Sequence, residues 1–339
     1  MKFTDEKKKN ITLYLLEKIS QDDENISKTV AENFAINQDT VHSYINKLIK
    51  DKVIRRVKRG KYEIVEQRYK YFLRRSEGHL DTDTYAYEAC LKQHISDLES
   101  NVVSIWAYAF SEMVNNVMDH SEAERLDIVI EQDYLNTSVA IMDDGIGIFE
   151  KIKNYFNLPS HDAAICELFK GKLTTDSENH SGEGIFFSSK LMDEFAILSS
   201  EKIFASNKYD VEKTINLDSK KILGTCVIMT LSNFSKKQAN EVFDMYSNDE
   251  GNFTKTKIPL KNIFDTSPVS RSQAKRVCNH LDKFKEVILD FEGLEWMGQG
   301  FAHQIFVVFA NSHPDISLMP INMNEEITKM YNHVKLSSN

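Results

Sequence analysis

The 339-residue chain has few of the residues that interrupt or cross-link structure. It has five prolines, none before Pro159, and twelve glycines. Early connections are therefore expected to be helical or short. The four cysteines, Cys90, Cys166, Cys226 and Cys278, lie far apart and form no Cys-x-x-Cys pair. That spacing argues against a structural zinc site and fits a reducing compartment. No apolar run approaches the roughly 18 residues a membrane span needs. The opening MKFTDEKKKN is charged and has no apolar signal region, so a cytoplasmic protein without a membrane partner is expected. There is no internal repeat and no low-complexity tract.

What is present is the composition of a globular protein, 41% hydrophobic and 27% charged, which can bury a sizeable core. The length allows about two or three domains. Net charge is −9, unevenly spread. Residues 1–75 hold 18 Lys/Arg and 11 Asp/Glu, a net of +7; the rest hold 24 and 40, a net of −16. Residues 52–75 alone hold 10 basic and 2 acidic residues, a net of +8. A basic first module on an acidic body suggests that this module meets a polyanion; a solvated charged surface is the alternative.

Residues 8–65 read as three helices and a hairpin. Ile11, Leu15, Leu16 and Ile19 give the first helix an apolar face. Ser27 is the expected cap of the second, with Val30, Ala31 and Phe34 inward, and Asp39 of the third, with Val41, Ile45 and Leu48 inward. VIRRVKRGKYEI then alternates around Arg59-Gly60. This order resembles a winged helix-turn-helix over residues 1–65. Such a module would present Gln38, Thr40, Ser43, Tyr44 and Lys47 on its third helix, and Arg56, Lys58, Arg59 and Lys61 on its wing. The implied partner is DNA, with the helix in the major groove and the wing on phosphates. Winged helices also dock proteins, and the basic wing favours nucleic acid. Residues 66–100 are expected to be a helical connector, with Tyr85, Ala89 and Leu91 packing one face and His79 and His94 at the surface.

The chemistry is concentrated in three later stretches. SEMVNNVMDHS places Glu112, Asn116 and Asp119 or His120 on one face of a helix. After the hairpin-like strands RLDIVIEQ and SVAIMDD comes AIMDDGIGIF, with Asp143-x-Gly145-x-Gly147. HSGEGIFFSSKL places Gly182-x-Gly184 at a helix start, and ILGTCVIMTL places Gly224-Thr225 at a strand start. Either glycine pair alone is weak; an acid-amide helix followed by these motifs in this order is specific.

The order resembles the histidine-kinase-like ATPase superfamily, which includes DNA gyrase, histidine kinases and mismatch-repair ATPases. The resemblance covers roughly residues 100–233, within an ATPase domain bounded at 101–235. It implies an α/β sandwich with a mixed sheet, ATP as ligand and Mg²⁺ as its ion. By motif, Glu112 is the general base, Asn116 the Mg²⁺ ligand and Asp143 the acid that accepts the adenine amino group. Gly145 and Gly147 lie beneath the base, Gly182 and Gly184 at the phosphates, and Thr225 beside the adenine-binding acid. GKLTTDSENHSGEG would cover the nucleotide within a lid between Phe149 and Ser181. Lys172 there is either a phosphate neutraliser or a solvated lysine. Asp119 either assists metal-bound water or solvates its helix face; His120 is expected to hydrogen-bond at the helix end. No kinase-type histidine motif is found, which opposes histidine autophosphorylation.

Residues 252–339 alternate strand and helix, as a small α/β layer would. Ser270 and Gln273 form a capping-box pattern. SRSQAKR and VILDFEGLEWMGQGFAHQIF resemble the STAS-like domain of unknown function, related to anti-sigma antagonists. That resemblance implies a protein partner. The turn Met297-Gly298-Gln299-Gly300 carries no hydroxyl for a partner kinase to modify. Arg271 either faces a partner or an anion near the helix start or, as the favoured reading, is solvated; Trp296 is expected to lie in the core. The whole reads as an ATP-binding, ATP-hydrolysing signalling regulator in which nucleotide controls the DNA-binding and STAS-like modules; a homodimer is allowed. An anti-sigma-type serine/threonine kinase and a non-catalytic nucleotide-binding scaffold are the alternatives.

Overall fold

A computed structural model describes residues 3–173, 182–206, 223–264 and 266–336. The N-terminal region contains α1 (Asp5–Ser20), α2 (Ile26–Phe34), α3 (Gln38–Lys50) and the antiparallel hairpin β1 (Ile54–Lys58) and β2 (Lys61–Ile64). Its own core joins Ile11, Leu15, Val30, Val41, Ile45 and Tyr62. The caps differ from the expected ones. Asn37 precedes α3 and accepts from the Thr40 amide at 2.8 Å, which leaves Asp39 inside the first turn. Asn25 rather than Ser27 precedes α2.

The expected helical connector is corrected at its start. Gln67–Arg74 forms β3, paired antiparallel to β4 (Arg125–Gln132) along its whole length. Tyr69, Tyr71 and Leu73 turn to the core while Arg68, Lys70, Phe72 and Arg74 turn away, a period of two that defines a strand. Helix α4 follows as Asp83–Ala86, a π turn Tyr87–Leu91 and Lys92–Ile95. It buries Ala86, Cys90, Leu91 and Ile95, whereas Tyr85 and Ala89 face outward. His94 is half-buried, its Nε2 2.7 Å from the Tyr71 hydroxyl.

The central region is a six-stranded sheet in the order β3-β4-β5-β8-β6-β7, with β5 (Asn136–Asp143), β6 (Glu194–Ser199), β7 (Lys202–Ala205) and β8 (Thr225–Ser232). One face is covered by α4, α5 (Ser100–Asn116), α6 (Ile148–Tyr155) and α7 (His161–Lys170), which share its core. The sheet was expected to be mixed; its described pairs are all antiparallel. Strands β5 and β6 point the same way, but β8 inserts between them, so their helical crossover yields no parallel ladder.

The parallel ladder lies in the C-terminal region. After α8 (Gly184–Leu191) and α9 (Ala239–Tyr246), strands β9 (Lys255–Pro259), β10 (Glu286–Asp290) and β11 (Ser317–Ile321) pair in the order β11-β10-β9. Helices α10 (Leu260–Ile263), α11 (Arg271–Cys278), α12 (Gln299–His303, continued by Gln304–Phe309) and α13 (Glu325–Leu336) complete the layer. The Ser270–Gln273 capping box opens α11. Trp296 corrects its expectation: it is 46% exposed, on the turn before α12. Phe186 and Phe187 of α8, a helix of the central region, join the C-terminal core. No helix among the described residues is long and apolar enough to cross a membrane.

Candidate functional site

Helix α5 forms around a wide apolar face that buries Val102, Ile105, Trp106, Phe110 and Met113. Its polar stripe borders that face. Glu112, Asn116 and His120, spaced at i, i+4 and i+8, line one cavity of about 270 Å³. Asp119 is exposed and outside this lining, so the expected stripe resolves to His120. The helix ends in a π turn, Val117–Ser121, where the Ser121 hydroxyl donates to the Val117 carbonyl at 2.6 Å.

The far side of the cavity is the edge where β5 and β8 meet α6. Asp143 ends β5 and is 6% exposed. Burial pushes its carboxyl up to about 6, against the opposing effects of the Gly145 amide and of the Thr225 amide and hydroxyl. The Gly145 amide donates to Asp143 Oδ1 at 2.8 Å. Thr225 Oγ1 accepts from the Ile148 amide at 3.0 Å, which ties the start of α6 to the start of β8. Gly224 is required here: φ is +75°, and a Cβ would lie 2.5 Å from Asp143 Oδ1.

The third side comes from α7, α8 and the residues at their facing ends. Gly171, Leu173, Gly182 and Gly184 line it. A Cβ on Gly184 would lie 1.9 Å from Glu112 Oε2, so the carboxylate is seated against the first turn of α8. A side chain at Gly184 would displace the Glu112 carboxylate from this position.

Of the residues singled out by sequence, the cavity gathers Glu112, Asn116, Asp143, Gly147, Gly182, Gly184 and Thr225. Gly145 lies just behind, where a Cβ would meet the Ser121 carbonyl at 2.1 Å. Lys172 is turned away. Its ammonium donates to the Lys283 carbonyl at 3.0 Å and lies over the rings of Phe253 and Phe284. Residues 174–181 of the expected cover lie outside the described residues; Phe149–Lys170, assigned to the same span, contributes α6 and α7. Sequence reasoning missed Lys151. It lines the cavity one turn into α6, with its ammonium 3.6 Å from Glu122 Oε1. A lone lysine four residues past Gly147 had no pattern to mark it.

Asn116 brings a side-chain amide to the cavity. The Asn116 amide nitrogen is buried and finds no hydrogen-bond partner among the described residues. No three His, Cys, Asp or Glu side chains among the described residues converge to hold a metal. The orphaned amide N–H is a donor suited to a phosphate oxygen; a Mg²⁺ ion would instead need the amide oxygen, with phosphate and water completing its shell.

On the N-terminal module, Gln38, Ser43, Lys47, Arg56, Lys58 and Arg59 are exposed. Tyr44 is half-buried against the module's core, and the Thr40 hydroxyl donates to the Asn37 cap. Lys61 pairs with Asp22 at 2.7 Å, and Arg56 donates to the Tyr62 hydroxyl at 3.2 Å. Ser43, Tyr44 and Lys47 border a cleft shared with Lys8, Lys9 and Tyr134, the last from the β4–β5 turn.

Residues 103–233 match the family model described as histidine kinase-, DNA gyrase B-, and HSP90-like ATPase. Residues 273–328 match the STAS-like domain of unknown function. The first match carries an expectation of ATP as ligand, and the second of an interaction module. No curated protein matches the chain.

Proposed function

We propose that the chain is an ATP-dependent regulatory switch that binds Mg-ATP in the central cavity, hydrolyses it slowly and transmits nucleotide state to its two flanking modules. The observation that carries the reading is the convergence of Glu112, Asn116, Asp143 and Thr225 on one cavity with Gly147, Gly182 and Gly184. In this reading the ionised Asp143 carboxylate accepts a hydrogen bond from the adenine amino group. Thr225 and the Gly145 amide hold that carboxylate in place. Glu112 orients a water and takes its proton, from a position beside Gly184 at the start of α8. Asn116 would hold Mg²⁺ through its amide oxygen, and the ion when bound would neutralise phosphate charge.

The N-terminal module is read as a DNA-binding winged helix. Support comes from its helix-helix-helix-hairpin order, the net +5 over residues 52–65 (six Lys/Arg against Glu63) and the exposure of Arg56, Lys58 and Arg59. The C-terminal domain is read as the surface for a protein partner. The switch operates if the two nucleotide states differ in affinity for these partners.

Calorimetric titration of the full chain with Mg-ATP tests the site. Saturable binding is expected. Asp143→Asn should weaken it by about 1–3 kcal/mol, because an amide mispairs with a donor in a buried setting. Unchanged affinity in the variant removes Asp143 from the adenine contact.

A further inference from the structure

One wall of the central cavity is held by a side chain that does not line it. Lys170 ends α7 with its side chain 1% exposed. Its ammonium lies 2.8 Å from Glu167 Oε1, one turn back on the same helix. It also donates to the carbonyls of Arg276 at 3.0 Å and Asn279 at 2.6 Å. Those carbonyls belong to the C-terminal end of α11, in the STAS-like region, where a helix runs out of its own donors. The Lys170 carbonyl is held from the same region, accepting from the Thr256 hydroxyl of β9 at 2.8 Å.

The next residue, Gly171, lines the cavity. A Cβ there would meet the Phe253 ring at 2.8 Å and Phe186 at 3.0 Å. Phe186 lines the cavity from α8 while belonging to the C-terminal core. Both helices that form this wall are thus anchored in the C-terminal domain, and the peptide after Lys170 is gripped on either side.

We infer that Lys170 is a positioning residue that couples the C-terminal domain to the nucleotide cavity, by holding the end of α11 and the Gly171 wall in one arrangement. The inference rests on the Mg-ATP reading above. Of the three N–H donors of the ammonium, one stays within α7 and two go to the end of α11, while the Lys170 carbonyl takes a further hold from β9. If α11 and the wall move together, nucleotide and any partner that displaces α11 bias one another by the same factor. The C-terminal domain then acts on the ATPase through the wall of the site.

The test uses the full chain and two variants. Glu167→Gln/Lys170→Met removes both charges, so neither remains buried and unpaired. Thr256→Val removes the β9 hold with almost no change of shape. Each should weaken ATP binding at least fivefold and raise KM, with turnover at saturating ATP within threefold of the parent. Saturating ATP should slow amide exchange across α11 in the parent and leave it unchanged in the variants. If the double variant does not fold, Thr256→Val carries the test. Affinity within twofold of the parent in the folded variants, or α11 exchange in the parent that ignores ATP, overturns the inference while the nucleotide reading stands. A parent that binds no ATP overturns that reading and this inference together.

Discussion

Asp143 is the residue at which burial and binding pull in opposite directions. Its carboxyl is raised to about 6 from an ordinary 3.8 because it is buried. Between those values the folded chain holds a proton that the unfolded chain has released. The contribution to folding stability therefore falls as pH rises from 3.8 to about 6, then levels off. ATP affinity should run the other way, since the ionised carboxylate is the stronger acceptor for the adenine amino hydrogen. Below the midpoint the loss should be at most about tenfold per pH unit. The check is the affinity difference between the parent and Asp143→Asn at several pH values, which cancels the titration of ATP itself. A difference that is flat from pH 5 to 7 contradicts the assigned contact. Asp143 was legible in the sequence because a strand followed by DxGxG fixes both its place and its glycines. Lys172 was not. Its side-chain direction is decided by Lys283, Phe253 and Phe284, which lie 81 to 112 residues downstream and belong to another domain.

At the scale of elements, periodicity resolved the isolated amphipathic pieces and missed those whose partners are distant. The β4–β5 hairpin, the β1–β2 hairpin and the capping box of α11 are local devices, and each lies where its residues indicated. Strand β3 was hidden because QRYKYFLR is rich in charge on its outward side and exists as a strand through pairing with β4, more than fifty residues later. The π turn after α5 decided which of two adjacent polar residues enters the cavity, a choice that ideal helical spacing leaves open. The β1–β2 hairpin carries its own expectation. If it meets DNA phosphates, affinity should fall with salt at a log-log slope near −0.9 for each phosphate neutralised. Replacing Arg56, Lys58, Arg59 and Lys61 with Ala in the full chain should flatten that slope and weaken all sequences alike. Lys61 should contribute least, because it is already paired with Asp22. Anisotropy over a salt series reads both effects. Absence of binding at about 50 mM salt, where electrostatic association is strong, makes the module a protein-docking unit.

At the scale of the whole molecule, the succession of an ATPase-like and a STAS-like segment was legible and their interdependence was not. The two family matches cover segments separated in sequence, yet α8 contributes to both the cavity wall and the C-terminal core. A motif identifies the residues that face a ligand, but carries no record of what packs behind them. The central claim concerns chemistry at Glu112, and one measurement addresses it directly. Purified full chain is incubated with Mg²⁺ and γ-labelled ATP, and both free phosphate and labelled protein are scored, for the parent and for Glu112→Ala. The account predicts slow release of free phosphate with no labelled protein. It predicts a fall of about 10²–10⁴ in that rate for Glu112→Ala, with ATP still bound. Label on the protein would favour the serine/threonine kinase reading, and ATP bound without turnover would favour a scaffold. Phosphate released by Glu112→Ala at the parental rate would contradict the account.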